Sequence, residues 1–277
     1  MNNVDNLRSR IKSYNLRRRS GDLNLRFTPT KISIRLFGML GHGKSTLINN
    51  FFCVLNNTEY RNIADETSPE ESDGGGKTMA LRLYPLDNTC LEIVDNRGCN
   101  EFKYSEQTEF RNQMEGKRRV NSSVNFQGDF TASFQWAESY VSPWSWSERW
   151  SHWYFNESPS DDTIIVPVLV IRAGWTPNKK MLSNLHKFCT TVVYPHTGVY
   201  PLIVLTCGQE RPEWEGRHIL PQLPCSTYLL NNYYERSSER NPNTDQIILE
   251  ILIACINCAD NVLKRCIGLA HKPVFFQ

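Results

Sequence analysis

The 277-residue sequence has little that would place the protein outside the cytosol or within a membrane. The N-terminus carries charged residues where a signal peptide needs an apolar core. The longest apolar run, residues 247–258, contains Glu250 and Asn257 and is too short to cross a bilayer. Nine cysteines, an odd number without a disulfide framework, indicate reduced thiols. We therefore predict a cytoplasmic protein with no transmembrane segment.

Net charge is also small, because 31 basic and 29 acidic residues give a formal charge of +2. Residues 1–19 hold six basic residues and one acidic residue, so this stretch is +5 and the remaining chain is −3. A body with that negative balance binds nucleic acid poorly, and no nucleic-acid partner is expected. We predict a basic N-terminal arm over residues 1–30, followed by one domain over residues 31–277.

Apolar runs alternate with helical patterns along most of the chain, which predicts a mostly parallel sheet covered on both faces. The predicted strands are residues 31–37, 78–84, 90–94, 163–171, 200–205 and 226–230. The predicted helices are residues 44–55, 178–191 and 243–270. Residues 85–88, between the second and third strands, are predicted to form a hairpin turn. Asn243 is the predicted N-cap of the last helix, with Gln246 three residues later.

The turn after the first strand carries a phosphate-binding motif. Residues 38–45, GMLGHGKS, fit G-x-x-x-x-G-K-[ST] in full. Glycines let successive main-chain N–H groups face phosphate oxygens at the start of a helix. Lys44 is predicted to contact the terminal phosphates, and the Ser45 hydroxyl is predicted to bind Mg²⁺. The motif predicts the three-layer α/β fold of GTPase-like P-loop NTPases, with nucleotide contacts from Gly38, Leu40, Gly41, His42, Gly43, Lys44 and Ser45.

A second motif, D-x-x-G over residues 95–98, begins 51 residues after Lys44 and follows a hydrophobic strand. Asp95 is predicted to hold the metal through water, and the Gly98 N–H is predicted to meet the γ-phosphate. The loop between the two motifs should supply a hydroxyl that closes over the metal, and the candidates are Thr67, Ser72 and Thr78. Ser72 is assigned to the metal because it lies at the centre of the loop beside three glycines.

Base recognition departs from the [NT]-K-x-D turn of GTPases. After the strand at residues 200–205 come Thr206, Cys207, Gly208 and Gln209. Thr206 and Gln209 are the predicted nucleotide contacts, but Cys207 replaces the lysine that stacks on the base. Gln209 replaces the aspartate that accepts two guanine N–H bonds, which costs about 1–3 kcal/mol of affinity. We therefore predict nucleotide binding with weakened guanine selectivity.

Groups suited to hydrolysis are few. The residue after D-x-x-G, often a glutamine that orients the attacking water, is Cys99. His42 and Arg97 are the remaining catalytic candidates, so slow or absent GTP hydrolysis is predicted. Two alternatives stay open: a non-enzymatic interaction module with a degenerate nucleotide site, and an ATP-binding P-loop protein.

The C-terminal region carries a pattern N-Y…E…P-x-x-D…I-L…A-D, formed by Asn232-Tyr233, Glu239, Pro242, Asp245, Ile248-Leu249 and Ala259-Asp260. This pattern resembles the interferon-induced protein 44 family, which is similar also in its phosphate loop and long insertion. The resemblance implies a cytoplasmic, GTPase-like protein that binds GTP or GDP and acts in innate immunity. By position it implies phosphate contacts from Gly38 to Thr46, a metal role for Asp95, and Asn232 in the base-side loop. The departure from the family lies at Cys207 and Gln209.

An insertion at about residues 99–161 is rich in aromatic residues. Its residues 134–155 hold nine aromatics, including five of the seven tryptophans of the chain. Trp and Tyr concentrate binding energy at interfaces, which favours a partner or self-association surface. The alternative is that these rings form a small core of their own, since large aromatics are usually buried.

Overall fold

The computed structural model describes residues 3–21, 29–64, 80–124, 126, 163–207, 224–234 and 239–270. The strands are β1 (Lys31–Phe37), β2 (Arg82–Pro85), β3 (Leu91–Asp95), β4 (Thr163–Arg172), β5 (Leu202–Thr206) and β6 (Thr227–Leu229). The helices are α1 (Asn3–Ser13), α2 (Leu16–Gly21), α3 (Lys44–Asn56), α4 (Tyr104–Met114), α5 (Lys179–Lys187), α6 (Tyr194–Thr197) and α7 (Pro242–Ala270). A π-helical segment, Phe188–Val193, joins α5 to α6.

The strands form one six-stranded sheet in the order β2-β3-β1-β4-β5-β6. Strand β1 lies between β3 and β4 and pairs with both in parallel. Strands β4, β5 and β6 continue the parallel pairing, and β2 alone runs antiparallel, on the outer side of β3. The predicted mostly parallel sheet and the predicted hairpin are confirmed. Thr78 and the rest of residues 65–79 lie outside the described residues.

Helices cover both faces of the sheet, because successive side chains of a strand point to opposite faces. In β5, Val204 packs into the apolar cluster that contains α3 and α7, whereas Ile203 packs into the cluster that contains α4 and α5. Strand β4 alternates in the same way, with Val168 in the first cluster and Leu169 in the second. The two clusters on either side of the sheet make the predicted three-layer sandwich.

Residues 3–21 are part of the domain and do not form a separate basic arm. Val4, Ile11 and Leu16 are at most 7% exposed and belong to the apolar cluster that contains α7. The Tyr14 hydroxyl donates a hydrogen bond to Asp260 of α7 at 2.7 Å. The apolar residues of α1 recur at helical spacing, so one face of α1 is buried while its charged residues stay outside. This corrects the predicted arm over residues 1–30.

The predicted insertion at 99–161 begins with regular structure. Helix α4, Tyr104–Met114, packs Phe110 and Met114 against the second face of the sheet and lies between β3 and β4 in the chain. Helix α4 therefore belongs to one of the two helical layers of the sandwich and not to an added lobe. The aromatic stretch 134–155, with its predicted partner surface, lies outside the described residues.

Helix α7 begins one residue earlier than predicted and has a different cap. Asn241 precedes Pro242, and its side-chain oxygen accepts the N–H of Asn243 at 2.9 Å. Proline at the first helical position is favoured because its φ is preset and its missing N–H is not needed there. The prediction that Asn243 is the N-cap is wrong. By length and composition the segment Pro242–Arg265 could cross a bilayer, but 56% of its most apolar stretch is buried inside the protein.

Candidate nucleotide site

The phosphate motif forms a tight turn between β1 and α3 that only glycine can make at two positions. Gly38 has a φ of 153° and Gly43 a φ of 84°, where L-residues with side chains are strained. A Cβ atom on Gly38 would overlap the main-chain carbonyl oxygen of Val170. The close approach of β1 to β4 therefore excludes any larger residue at Gly38.

Helix α3 begins directly at this turn without a capping side chain. Gly43 is its N-cap, and no side chain accepts the N–H groups of the first turn. A helix leaves these N–H groups without intrahelical partners and carries a partial positive charge there. Ser45 and Thr46 lie in this first turn. The N-terminus of α3 therefore offers an anion the geometry that phosphate-binding helices use.

Lys44 is buried inside the turn. Its ammonium donates hydrogen bonds to the carbonyls of Gly38 at 3.2 Å and Met39 at 2.9 Å. Burial lowers the pKa of Lys44, and the nearby Asp95 and Cys99 partly oppose this effect. A buried ammonium is costly without a charged partner, so a phosphate group here would replace weak neutral acceptors with a strong one.

Two of the predicted metal residues, Ser45 and Asp95, lie side by side. The Ser45 hydroxyl donates a hydrogen bond to Asp95 Oδ2 at 3.1 Å, although they are 50 residues apart in the chain. Asp95 is 1% exposed. Within the described ranges, no cluster of three or more His, Cys, Asp and Glu residues could hold a metal by itself. Ser45 and Asp95 fit Mg²⁺, a hard cation that takes its remaining oxygen ligands from phosphate and water.

The D-x-x-G segment lies against the phosphate loop. A Cβ on Gly98 would lie 2.7 Å from Leu40 Cα and 3.1 Å from the Lys44 ammonium. Cys99 forms a short parallel bridge with Met39. In this bridge Leu40 N–H donates to the Cys99 carbonyl at 3.0 Å. The structure thus places Gly98 against the phosphate loop, and it shows that the main-chain N–H of Leu40 is engaged by Cys99.

The Thr206 side chain contacts the phosphate loop. Its hydroxyl donates to the His42 carbonyl at 2.9 Å, and the side chain is fully buried. A Cβ on Gly43 would lie 3.3 Å from the same hydroxyl. Thr206 therefore fixes the shape of the phosphate loop, which corrects its predicted direct contact with the nucleotide. Gln209 and Ser72, the other predicted contacts, lie outside the described residues.

His42 is poorly suited to proton transfer at neutral pH. Burial, followed by the charges of Lys44 and Arg172, lowers the pKa of His42 to about 3. Its ring packs edge-on to Trp175 at 5.7 Å between centroids. A general acid or base works best with a pKa near the working pH. His42 is a neutral packing residue of the loop, which argues against its predicted catalytic role.

Arg97 is engaged in holding a neighbouring segment. Its guanidinium donates to the Val124 carbonyl at 3.0 Å and lies 5.2 Å from the centre of the Phe126 ring. The hydrogen bond and the cation–π contact hold the Arg97 side chain against residues 124 and 126. The geometry therefore supports a structural role for Arg97, and its catalytic role stays a prediction.

The loop after β6 carries a buried amide with unused hydrogen-bonding capacity. Asn232 is 6% exposed, and neither its Nδ2 nor its Oδ1 has a hydrogen-bond partner within the part of the chain that the structure describes. The loop is tied to α3, because Tyr233 N–H donates to Asn50 Oδ1 at 2.8 Å and Asn50 Nδ2 donates back to the Tyr233 carbonyl at 3.2 Å. Asn232 therefore lies in a loop beside the helix that begins at the phosphate loop, and its contact with a base stays a prediction.

Tyr234 is a further candidate for the base side of the site, and the sequence alone did not point to it. Its hydroxyl lies 3.4 Å from the thiol of Cys207, the residue that replaces the usual lysine after β5. The ring is 42% exposed. An exposed aromatic ring at this position can stack on a flat base, as the missing lysine would. In the sequence, the feature that could have indicated this role is the pair Tyr233-Tyr234 after the last predicted strand. Such aromatic pairs are also common in turns without a binding function.

A chain of buried hydrogen bonds connects the metal side of the site to α4. Asn96, which follows Asp95, donates from Nδ2 to Gln113 Oε1 at 2.6 Å, and Gln113 Nε2 donates back to Asn96 Oδ1 at 3.3 Å. Gln113 also donates to Glu109 Oε1 at 3.2 Å, and Glu109 binds the guanidinium of Arg118. Helix α4 thus holds the segment that carries Asp95 in place.

The end of α4 carries an ion pair that makes stability depend on pH. Burial raises the pKa of Glu115, but hydrogen bonds from His196 and Lys117 outweigh it and lower the pKa from 4.5 to about 2. A carboxyl with a lowered pKa stabilises the fold above its ordinary pKa, and this contribution is lost as the pH falls through about 2.

We expect Glu115→Gln to lower the free energy of unfolding at pH 7 by on the order of 1 kcal/mol, with the difference from wild type vanishing below pH 2. Urea unfolding at a series of pH values measures it. Glu101→Gln is the control, since Glu101 pairs with Lys103 at 3.7 Å and both side chains are at least 35% exposed. A difference for Glu115→Gln that persists unchanged at the lowest pH would contradict the assignment.

The sheet order, the glycine turn between β1 and α3, and the Ser45–Asp95 pair define a P-loop nucleotide-binding fold of the GTPase-like kind. No family model matches the chain, and no curated protein matches it. The predicted likeness to the interferon-induced protein 44 family therefore gains no support here.

Among solved structures, the chain is similar to Toc33 from Arabidopsis thaliana in complex with Mg²⁺ and GMPPNP. The identity is 12%, the TM-score is 0.45, and the match covers 93% of this chain and 91% of that chain. It is also similar to Toc33 from the same plant in complex with GDP and Mg²⁺. There the identity is 13%, the TM-score is 0.43, and the match covers 83% of this chain and 85% of that chain.

Proposed function

We propose that the protein binds a Mg²⁺-nucleotide, GTP or GDP, at the phosphate loop. The observation that carries the proposal is the meeting of three groups at one turn: the uncapped start of α3, the buried ammonium of Lys44, and the Ser45–Asp95 pair. The main-chain N–H groups and Lys44 would hold the phosphates. Ser45 and Asp95 would hold the metal, which supplies charge neutralisation between the phosphates.

We propose that the loop after β6 recognises the base of the nucleotide. Asn232 presents an amide donor and an amide acceptor side by side, which matches the O6 and N1–H edge of guanine. The same amide can also pair with the N6 and N7 edge of adenine. Tyr234 beside Cys207 supplies a stacking surface that tolerates either base. We therefore propose guanine preference that is modest compared with a site that uses an aspartate.

Slow or absent hydrolysis is part of the proposal. Burial raises the pKa of the Cys99 thiol, which follows Gly98 at the place where a water-orienting group is expected. His42 is neutral and packed, and Arg97 is bound to Val124. These residues favour a protein that binds nucleotide and turns it over slowly, acting as a switch or scaffold.

The cellular setting is proposed from the sequence. Among the described residues, eight cysteines are free thiols, which supports a reducing compartment such as the cytoplasm. A role in innate immunity is supported by the C-terminal sequence pattern alone. Comparing protein levels before and after interferon treatment of the source cells tests that role, and unchanged levels would remove its support.

Titration calorimetry with GTP, GDP and ATP in the presence of Mg²⁺ tests the function. We expect GTP and GDP to bind more tightly than ATP, and Asn232→Ala to lose about tenfold in GTP affinity because one buried hydrogen-bonding amide is removed. Asn231→Ala is the matched control, since Asn231 is exposed. Tighter ATP binding would support an ATP-binding protein. No binding of any nucleotide would support an interaction module with a degenerate site.

A further inference from the structure

Helices α1 and α2 form a fixed surface that carries an excess of positive charge. Their inner sides are anchored by buried Val4, Ile11 and Leu16, and by the hydrogen bond from Tyr14 to Asp260. Arg8 fixes the middle of α1, because its Nε donates to the Val54 carbonyl at 3.0 Å. The basic residues of residues 3–19 are therefore displayed on a rigid support, and we call their outer side the basic surface.

Within the described part of the chain, the acidic groups beside the basic surface are bound to residues of α1 and α2. Asp5 pairs with Arg8 at 2.6 Å, and Asp260 accepts from Tyr14 and lies 3.6 Å from Arg19. The exposed cations of the basic surface are Arg10, Lys12, Arg17, Arg18 and Arg19, and exposed Lys264 follows Asp260 by one helical turn on α7. The surface thus keeps a strong local positive charge, while the rest of the chain has a net charge of −3.

The basic surface lies at the end of α3 that is remote from the phosphate loop. Arg8 contacts Val54, ten residues after Lys44 along α3, which corresponds to about 15 Å of helix. Asn57, at the end of α3, lies within 3.4 Å of the same guanidinium. Occupation of the basic surface therefore does not require the nucleotide site to be empty.

We propose that the basic surface docks on an anionic lipid bilayer. Charge complementarity supports this partner, because clusters of four to eight Lys and Arg residues on a helical surface bind acidic lipid headgroups. The exposed residues between the cations are small and polar, among them Asn6, Ser9 and Ser13, and they include no aromatic ring. Single-stranded nucleic acid usually needs such rings for stacking. A flat headgroup layer contacts one end of the protein only, which suits a chain whose remaining charge is negative.

Vesicle co-sedimentation of the full chain measures this contact. We expect binding to phosphatidylcholine vesicles that contain phosphatidylserine, little binding to phosphatidylcholine alone, and a decline as salt screens the charges. The triple variant Arg10→Gln, Lys12→Gln, Arg18→Gln should lose about a hundredfold in vesicle affinity, since each cation near the surface contributes about fivefold.

The control variant Lys179→Gln, Lys180→Gln, Lys187→Gln removes the same charge from exposed positions of α5 and should bind vesicles like wild type. Thermal unfolding of both variants checks that the fold is intact. Equal loss in the two variants, or equal binding to vesicles with and without phosphatidylserine, overturns the proposal. Binding of a single-stranded RNA oligonucleotide more tightly than the acidic vesicles, lost in the same α1–α2 variant, also overturns it in favour of a nucleic-acid surface.

Discussion

Replacing Lys44 by alanine is expected to lower nucleotide affinity at least a hundredfold while leaving the empty protein as stable as wild type or more so. The ammonium is buried and donates to two neutral carbonyls, so its removal relieves an unfavourable desolvation. When a polyphosphate is present, the same ammonium makes charge-assisted hydrogen bonds, each contributing about 1.5–3 kcal/mol. Calorimetry with GTP and GDP measures the affinity, and thermal unfolding without nucleotide measures the stability.

Lys31→Ala is the matched control for Lys44→Ala. Lys31 lies at the other end of β1, its side chain is 53% exposed, and its ammonium pairs with Glu92 at 3.3 Å. It should bind nucleotide like wild type. If Lys44→Ala binds GTP like the control, the turn between β1 and α3 does not hold phosphate, and the proposed function fails. A large loss of stability in Lys44→Ala would instead show that the two carbonyls depend on the ammonium.

Replacing Gly38 by alanine is expected to destabilise the whole domain by about 3 kcal/mol. The added methyl group would overlap the carbonyl oxygen of Val170 and would sit on a backbone with a φ of 153°. Relief requires β1 and β4 to separate at the centre of the sheet, where both strands are buried. Urea unfolding measures the free energy, and the fraction of folded protein must be taken into account in any binding assay of this variant.

Gly41→Ala separates the cost of the overlap from the cost of backbone conformation. Gly41 also has a positive φ, 71°, but a Cβ there meets no atom within 4 Å. Its substitution should cost about 1 kcal/mol, the usual penalty for a side chain in the left-handed region. Equal destabilisation by both substitutions would show that the contact with Val170 is not what requires glycine at position 38.

The sequence predicted well those elements whose pattern lies in consecutive residues. The strand before the phosphate motif was predicted with its observed bounds, Lys31–Phe37, because its apolar alternation and the following glycines are contiguous. Thr206 and Arg97 were predicted near the correct elements, but their contacts with His42 and Val124 were not predicted. A side chain at the end of a strand can turn toward a ligand or toward a neighbouring loop, and residue type alone does not decide between them.

The features that the sequence did not predict depend on distant partners. The reciprocal pairing of Asn96 with Gln113 joins the metal side to a helix that was assigned to an insertion. Residues 1–19 were predicted to form an arm because their net charge is high. That prediction did not take account of the three spaced apolar residues that form the buried face of α1. The low pKa of His42 arises from its burial, which exists only after β4 and β5 enclose the loop.

The two-way pairing of Asn50 with the main chain of Tyr233 ties the loop after β6, the proposed base side, to the helix that begins at the phosphate loop. A ligand that spans both sides meets groups whose relative positions are already set before it arrives. Such preorganisation spares the entropy of arranging the segment during association. Loosening that pairing should therefore weaken a whole nucleotide more than it weakens an isolated polyphosphate, which touches only one side.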